Sequence, residues 1–234
     1  MKRHISYLTG LLLVVVSVCA AQTASVRALR NSVASTRSVL PANTPQSISK
    51  LPPPDTSGGM PLMKALKERK TSRSFSEKPI PRQMMADLLW AAFGVNRPDG
   101  HRTAPSAMNW QEIDVYVTTA TGLYIYHPTT YSLELLSKED IRDKTGTQSF
   151  VKDAPVNLVY VANMSRVNRA SSEDQSLWMG ADCGCIVQNV YLYCASAGLA
   201  CVVRGSIDKA TLGKAMNLRS DQKIILSQTV GYPK

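Results

Sequence analysis

Between Cys183 and Val203 the chain carries no charged side chain. An uncharged run of that length has two homes, a bilayer or the inside of a globular fold. Gln188, Asn189, Tyr191, Tyr193 and Ser196 put amide and hydroxyl groups into it, and Gly198 breaks it. It therefore reads as a buried helix ending at Ala197, followed by a strand at Cys201-Val202-Val203, and not as a membrane span. The helix begins upstream, where Ser172 with Gln175, or Ser171 with Asp174, offers an N-terminal cap. Gly180 and Gly184 lie on one helical face and admit a close backbone neighbour.

The rest of the chain supplies layers to bury such a helix. Val156 to Ala162 is almost wholly apolar, as a central strand covered on both faces requires. Ile113 to Val117 alternates as a strand, with a turn at Thr121-Gly122 and a returning strand from Leu123 to Tyr126. A strand from Ser132 to Leu136 is expected to give way at Ser137 to a helical turn through Ile141. Pro61 opens a short helix, Leu62 to Arg69, with Leu62, Ala65 and Leu66 on one side. Pro81 opens a second that runs to Phe93 and stops at Gly94, burying Met84, Leu88, Leu89, Ala92 and Phe93. Lys209 to Met216 reads as a helix and Ile224 to Val230 as a final strand. The expected class is α+β, a central mixed sheet flanked by helices around one long buried helix, with no internal repeat.

Two N-terminal segments stand outside that domain, which is expected over residues 61–234. Residues 1–20 combine Lys2 and Arg3, an apolar run from Leu11 to Val18 and small residues at Cys19, Ala20 and Ala21, the pattern of an export signal cleaved after Ala20 or Ala21. Export implies a periplasmic or secreted protein. Cys19 also admits a lipoprotein anchor, which Val18 disfavours because a small residue is usual there. Residues 21–60 are rich in Ser, Thr, Ala and Pro and read as a flexible linker or arm. The formal charge is +10, and removing Lys2 and Arg3 with the leader leaves 25 basic and 17 acidic residues, +8. An anionic partner follows from that charge, without a choice among nucleic acid, membrane and phosphate ligand. Cys183, Cys185, Cys194 and Cys201 read as small core thiols, because Cys183 and Cys194 would stand about 16 Å apart along a helix. With three His in the chain and none nearby, no metal site is expected.

Two clusters carry chemistry. Arg69-Lys70-Thr71-Ser72-Arg73-Ser74-Phe75 packs cations and hydroxyls into one turn of chain, suited to a phosphate or, more simply, to a solvated helix end. Arg102 to Gln111, directly before the Ile113 strand, mixes small residues with Asn109 and Gln111, whose amides both donate and accept. By itself it also reads as a loop with a Pro turn.

In this order the two clusters resemble the nitroreductase family of flavoproteins. Arg69, Thr71, Arg73 and Phe75 stand in its R-x-S-x-R/K-x-F motif, with Thr for Ser, and Pro105-Ser106-Ala107-Met108-Asn109-Trp110-Gln111 matches its P-S-x-x-N-x-Q loop. Asp182, Gly184, Gln188 and Asn189 match a D-x-G-x-x-x-Q-N helix, Gly198-Leu199 a G-L strand, and Val230-Gly231-Tyr232-Pro233 a closing V-G-Y-P. The likeness spans residues 61–234.

The resemblance implies an intertwined homodimer with FMN at the subunit interface. Arg69, Lys70, Thr71 and Arg73 would hold the phosphate and ribityl chain, with Arg73 near the pyrimidine end. Pro105, Ser106, Ala107, Met108 and Asn109 would come from the other chain and lie against the ring. Arg204-Gly205 matches the turn that approaches the flavin N5 side. Family members commonly complete the phosphate site with Lys or Arg after the last strand, and here Lys234 or Arg204 would substitute. The flavin would do the chemistry, with no catalytic side chain, passing electrons from NAD(P)H to a small acceptor such as a nitroaromatic or quinone. Trp110 would stack an aromatic substrate or be buried in the core. Two rival readings remain: a non-catalytic flavin-binding module, and a basic polyanion-binding surface protein, against which stand the low aromatic content of 6% and the scattered basic residues.

Overall fold

The computed structural model describes residues 47–168 and 170–234; the expected leader and the first part of the expected arm lie outside the described residues. Seven strands, β1 (Ile48–Lys50), β2 (Ile113–Thr119), β3 (Gly122–His127), β4 (Ser132–Ser137), β5 (Val156–Asn163), β6 (Ala200–Arg204) and β7 (Gln222–Gly231), join one sheet in the order β1-β4-β3-β2-β5-β7-β6. Among the described residues four α-helices accompany it: α1 (Leu62–Glu68), α2 (Arg82–Phe93), α3 (Ser172–Ala197) and α4 (Lys209–Ala215). On one face α2 and α3 pack against Ile113, Val115, Val117, Leu158, Tyr160 and Ala162. On the other, Leu212 and Met216 at α4 close over Tyr116, Leu123, Val159 and Val161. Strand β5 has neighbours on both edges and layers on both faces, so all of its residues are buried.

The ends of α3 follow from short-range chemistry. Ser171 Oγ accepts the Asp174 N–H at 3.1 Å, which satisfies one of the free donors of the first turn. Gly198 ends the helix in the left-handed region (φ 69), where a side chain would be strained. At the other end of the domain, a Cβ on Gly231 would come within 2.7 Å of the Pro155 ring, so the closing V-G-Y-P segment needs a residue without one.

Four expectations are corrected. Every pairing in the sheet is antiparallel, not mixed. Helix α3 is a crossover that returns β6 in the direction of β5, which ordinarily makes a parallel pair. Here β7 inserts between them, antiparallel to both. The segment expected as an arm up to residue 60 is bound to the fold from β1 onward. Ile48–Lys50 pairs with β4, Leu51 enters the core, the Asp55 N–H donates to Asp87 Oδ1 at 2.9 Å, and the Met60 N–H donates to Ser196 Oγ at 2.6 Å. The helical turn expected from Ser137 to Ile141 is displaced to a 3-10 turn over Arg142–Thr145, because Asp140 and Arg142 pair across its start. Finally, α3 is buried along one side only: Leu177, Gly180, Ala181, Gly184 and Gln188 are exposed, and nothing stands within 4 Å of a Cβ at either glycine. Likewise α1 buries Ala65 but leaves Leu62, Met63 and Leu66 exposed. Among the described residues nothing covers these faces.

Candidate functional site

Where α1 ends, at Arg69, the chain straightens and runs beside β6. The Ser72 N–H donates to the Cys201 carbonyl at 2.9 Å, the Ser76 N–H to the Tyr232 carbonyl at 2.8 Å, and Phe75 bridges to Pro233. Phe75 is buried against Phe150, with ring centroids 5.6 Å apart. Backbone and one aromatic ring thus hold the segment, and Lys70, Thr71, Arg73 and Ser74 are left facing solvent.

Tyr191 of α3 links this segment to the sheet. Its hydroxyl accepts the Val203 N–H at 2.9 Å and shares a hydrogen bond with Thr71 Oγ1 at 3.1 Å, while the Arg69 guanidinium sits 5.4 Å above its ring. A cleft of about 660 Å³ opens alongside, lined among others by Lys64, Glu68, Lys70, Ser72, Tyr191 and Lys234. Among the described residues, none of Arg69, Lys70, Arg73 and Lys234 takes part in an ion pair. Cations left unpaired beside a hydroxyl are donors awaiting an anion, and guanidinium with hydroxyl matches phosphate geometry.

The second cluster, Pro105 to Gln111, is a strained loop. Met108, Asn109 and Gln111 have φ values of 53, 52 and 49, a region that costs non-glycine residues roughly 1 kcal/mol or more each. Hydrogen bonds from below hold it. Ser106 Oγ accepts the Gln111 N–H at 2.8 Å and donates to Glu112 Oε2 at 3.2 Å, and the Ala107 N–H donates to Asp182 Oδ2 of α3 at 2.8 Å. Burial pushes both carboxyls above the usual range, and for Glu112 the nearby Asp182 adds to the rise. Pro105, Met108 and Asn109 remain exposed. Trp110 is buried against Trp178, ring centroids 5.5 Å apart, which settles its place in favour of the core.

Arg204 faces inward. Its guanidinium donates to the Thr145 carbonyl at 2.7 Å and to Asn157 Oδ1 at 3.0 Å, and burial pulls its pKa down to about 10. In this arrangement its charge is directed into the sheet, away from the 69–73 segment. Gly205, next to it, is exposed, as is Lys234, which lines the cleft beside Lys70.

One chain therefore brings Arg69 and Thr71 to Tyr191 and Lys70 and Lys234 to the adjoining cleft, with Arg73 exposed further along the segment, but it does not bring the 105–109 loop there. Their anchors on α3, Tyr191 and Asp182, are separated by nine residues, about 13 Å along the axis and on opposite sides of the helix. Tyr191, Glu112 and the role of Asp182 as a loop anchor escaped the sequence reading. The available signal was Asp182 itself, the last acid before the uncharged run.

The Nitroreductase family model matches residues 66–232, which include both clusters and all strands but β1. A crystal structure from Ralstonia eutropha JMP134, named as a nitroreductase, shares 45% identity, covers 80% of this chain and 90% of its own, and superposes with a TM-score of 0.77. The chloronitrobenzene nitroreductase of Comamonas testosteroni is 26% identical over 211 residues, 71% of this chain and 84% of that protein. In fold alone, the chain is also similar to a Desulfovibrio desulfuricans nitroreductase structure in complex with FMN, with 19% identity, coverage of 74% and 87%, and a TM-score of 0.55. With that fold, both motif clusters in their expected order and a model match across most of the chain, this protein belongs to the nitroreductase family.

Proposed function

We propose that the protein is an FMN-dependent oxidoreductase that draws electrons from NAD(P)H and delivers them to a small acceptor such as a nitroaromatic or quinone. The observation that carries this reading is a set of cations without ion-pair partners among the described residues: Arg69 over the Tyr191 ring beside Thr71, Lys70 and Lys234 at the adjoining cleft, and Arg73 exposed on the same segment. That donor set fits a phosphate ester, and FMN is the phosphorylated cofactor that a flavin oxidoreductase of this family would carry. When bound, FMN supplies the hydride-accepting and electron-donating ring. Arg69 and Thr71 would anchor the phosphate, Lys70 and Lys234 would neutralise its second charge, and Arg73 would face the pyrimidine end. Arg204 is read as a buried structural cation, and Gly205 as backbone that allows close approach.

The assembly is read as a homodimer. The exposed apolar side chains of α1 and the bare α3 face at Leu177, Gly180 and Gly184 are the surfaces such a dimer would cover, and a partner would bring its 105–109 loop to the cations of the first chain. Residues 1–20 are proposed to direct export. N-terminal sequencing of the protein from cells would then begin at Ala21 or Gln22, and a start at Met1 would refute cleavage.

Anaerobic absorbance spectroscopy tests the activity. The protein mixed with FMN and freed of excess should be yellow and should bleach on addition of NADH or NADPH. A protein that retains flavin but bleaches with neither is a binding module; one that retains none is not a flavoprotein.

A further inference from the structure

Glu112 is fully buried, and its Oε1 has no hydrogen-bond partner. Asp182, 6% exposed, lies against the same loop from α3. The titratable groups that bear on the pair are the two acids themselves and the Cys183 thiol, which burial and both carboxyls push up. Among the described residues neither acid takes part in an ion pair. Two buried carboxylates on one loop with no ion-pair partner disfavour double ionisation.

The pair also holds something under strain. Three residues of the 105–111 loop sit at positive φ, and the loop's bonds to α3 and to the start of β2 end on these two acids: Ser106 Oγ on Glu112, the Ala107 N–H on Asp182, and the Gln111 N–H on Ser106 Oγ. Arg102 Nε, Arg166 Nη1 and the Gly100 carbonyl also hold Gln111. A second negative charge would drive the carboxyls apart and loosen both grips at once.

We infer that Glu112 and Asp182 are positioning residues that hold a single proton between them, and that this proton locks the 105–111 loop in its strained form. Retained proton means locked loop; its loss with rising pH releases the loop. Because the folded state holds the proton more tightly than the unfolded chain, this contribution to stability is complete in acid and fades as pH climbs through the pair's titration. The loop's effect on flavin rests on the proposed function, since there the loop closes the cofactor site; the proton itself does not.

Infrared difference spectroscopy on the apoprotein at neutral pH tests the proton. Wild type should show the carbonyl stretch of a neutral carboxylic acid, and Glu112→Gln, which keeps the shape without the titration, should lack it. Melting temperature should fall with rising pH in wild type relative to Glu112→Gln, the two curves separating above the ordinary carboxylate range. With FMN, affinity in wild type should weaken by up to tenfold per pH unit past the titration, whereas the variant stays flat. An infrared band that survives in both Glu112→Gln and Asp182→Asn, or parallel melting curves, overturns the inference. Absence of FMN binding with the infrared and melting results intact removes the proposed function and leaves the shared proton standing.

Discussion

Strand β5 and the 69–75 segment are both extended chain beside a neighbouring strand, yet they are held in opposite ways. β5 buries every residue from Val156 to Asn163 between two layers, with Leu158, Val159, Tyr160, Val161 and Ala162 wholly enclosed. Its place is set by side chains, the Val and Leu residues among them each worth about 1.5–3 kcal/mol of burial. The 69–75 segment is set by main-chain hydrogen bonds and Phe75 and leaves its cations uncommitted. The contrast separates the parts of the chain that specify the fold from the part free to specify a ligand. Substitutions in the two places should therefore act on different quantities.

The largest effect belongs to β5. Leu158→Ala removes a fully buried side chain between α3 and the sheet and should cost about 2–5 kcal/mol in chemical denaturation. The protein that remains folded should bind FMN as wild type does. A fully stable Leu158→Ala protein would break the contrast from the structural side.

Next comes the segment itself. Arg69→Ala and Arg73→Ala, each removing a charge-assisted donor, should each weaken FMN binding by about 1.5–3 kcal/mol, tens-fold to over a hundredfold. Arg73→Ala should stay within about 0.5 kcal/mol of wild type in stability, because Arg73 is exposed and has no ion-pair partner in the described fold, and Arg69→Ala should lose no more than about 1 kcal/mol, the contact with the Tyr191 ring. Loss of stability without loss of flavin would show that the cations are structural.

The smallest effect lies at the joint between the two regions. Tyr191→Phe deletes the hydroxyl that accepts from Val203 N–H and touches Thr71 Oγ1. It should cost about 1 kcal/mol of stability and a similar amount of FMN affinity, read by parallel denaturation and flavin-fluorescence titrations. An effect on one quantity alone would assign Tyr191 to one region instead of both.

Which features were legible in the sequence follows from how local their causes are. The apolar run of β5, the Ser171 cap and the Gly198 stop of α3, and the Pro81 start and Gly94 end of α2 are decided within a few residues, and the structure places them as read. β1 was missed because three residues in a Pro- and Ser-rich stretch carry no period; only β4, more than eighty residues away, makes Ile48–Lys50 a strand. The antiparallel sheet was missed because β7, the last strand, decides the neighbours of β5 and β6. At the candidate site, the Arg69 to Phe75 and Pro105 to Gln111 motifs were visible as strings of residues. The inward turn of Arg204 was not, since it depends on Thr145 and Asn157, both far off in sequence. Glu112 and Asp182 were hidden for the same reason, seventy residues apart and brought to one loop from different elements.

The central claim is that the unpaired cations at 69–73 exist to hold a phosphate. Comparing the equilibrium affinities of FMN and riboflavin for the wild-type protein tests it most directly, because the two ligands differ only in that group. The charge-assisted bonds predict that FMN binds tighter by about 3 kcal/mol or more, over a hundredfold. Equal affinity for the two would contradict it.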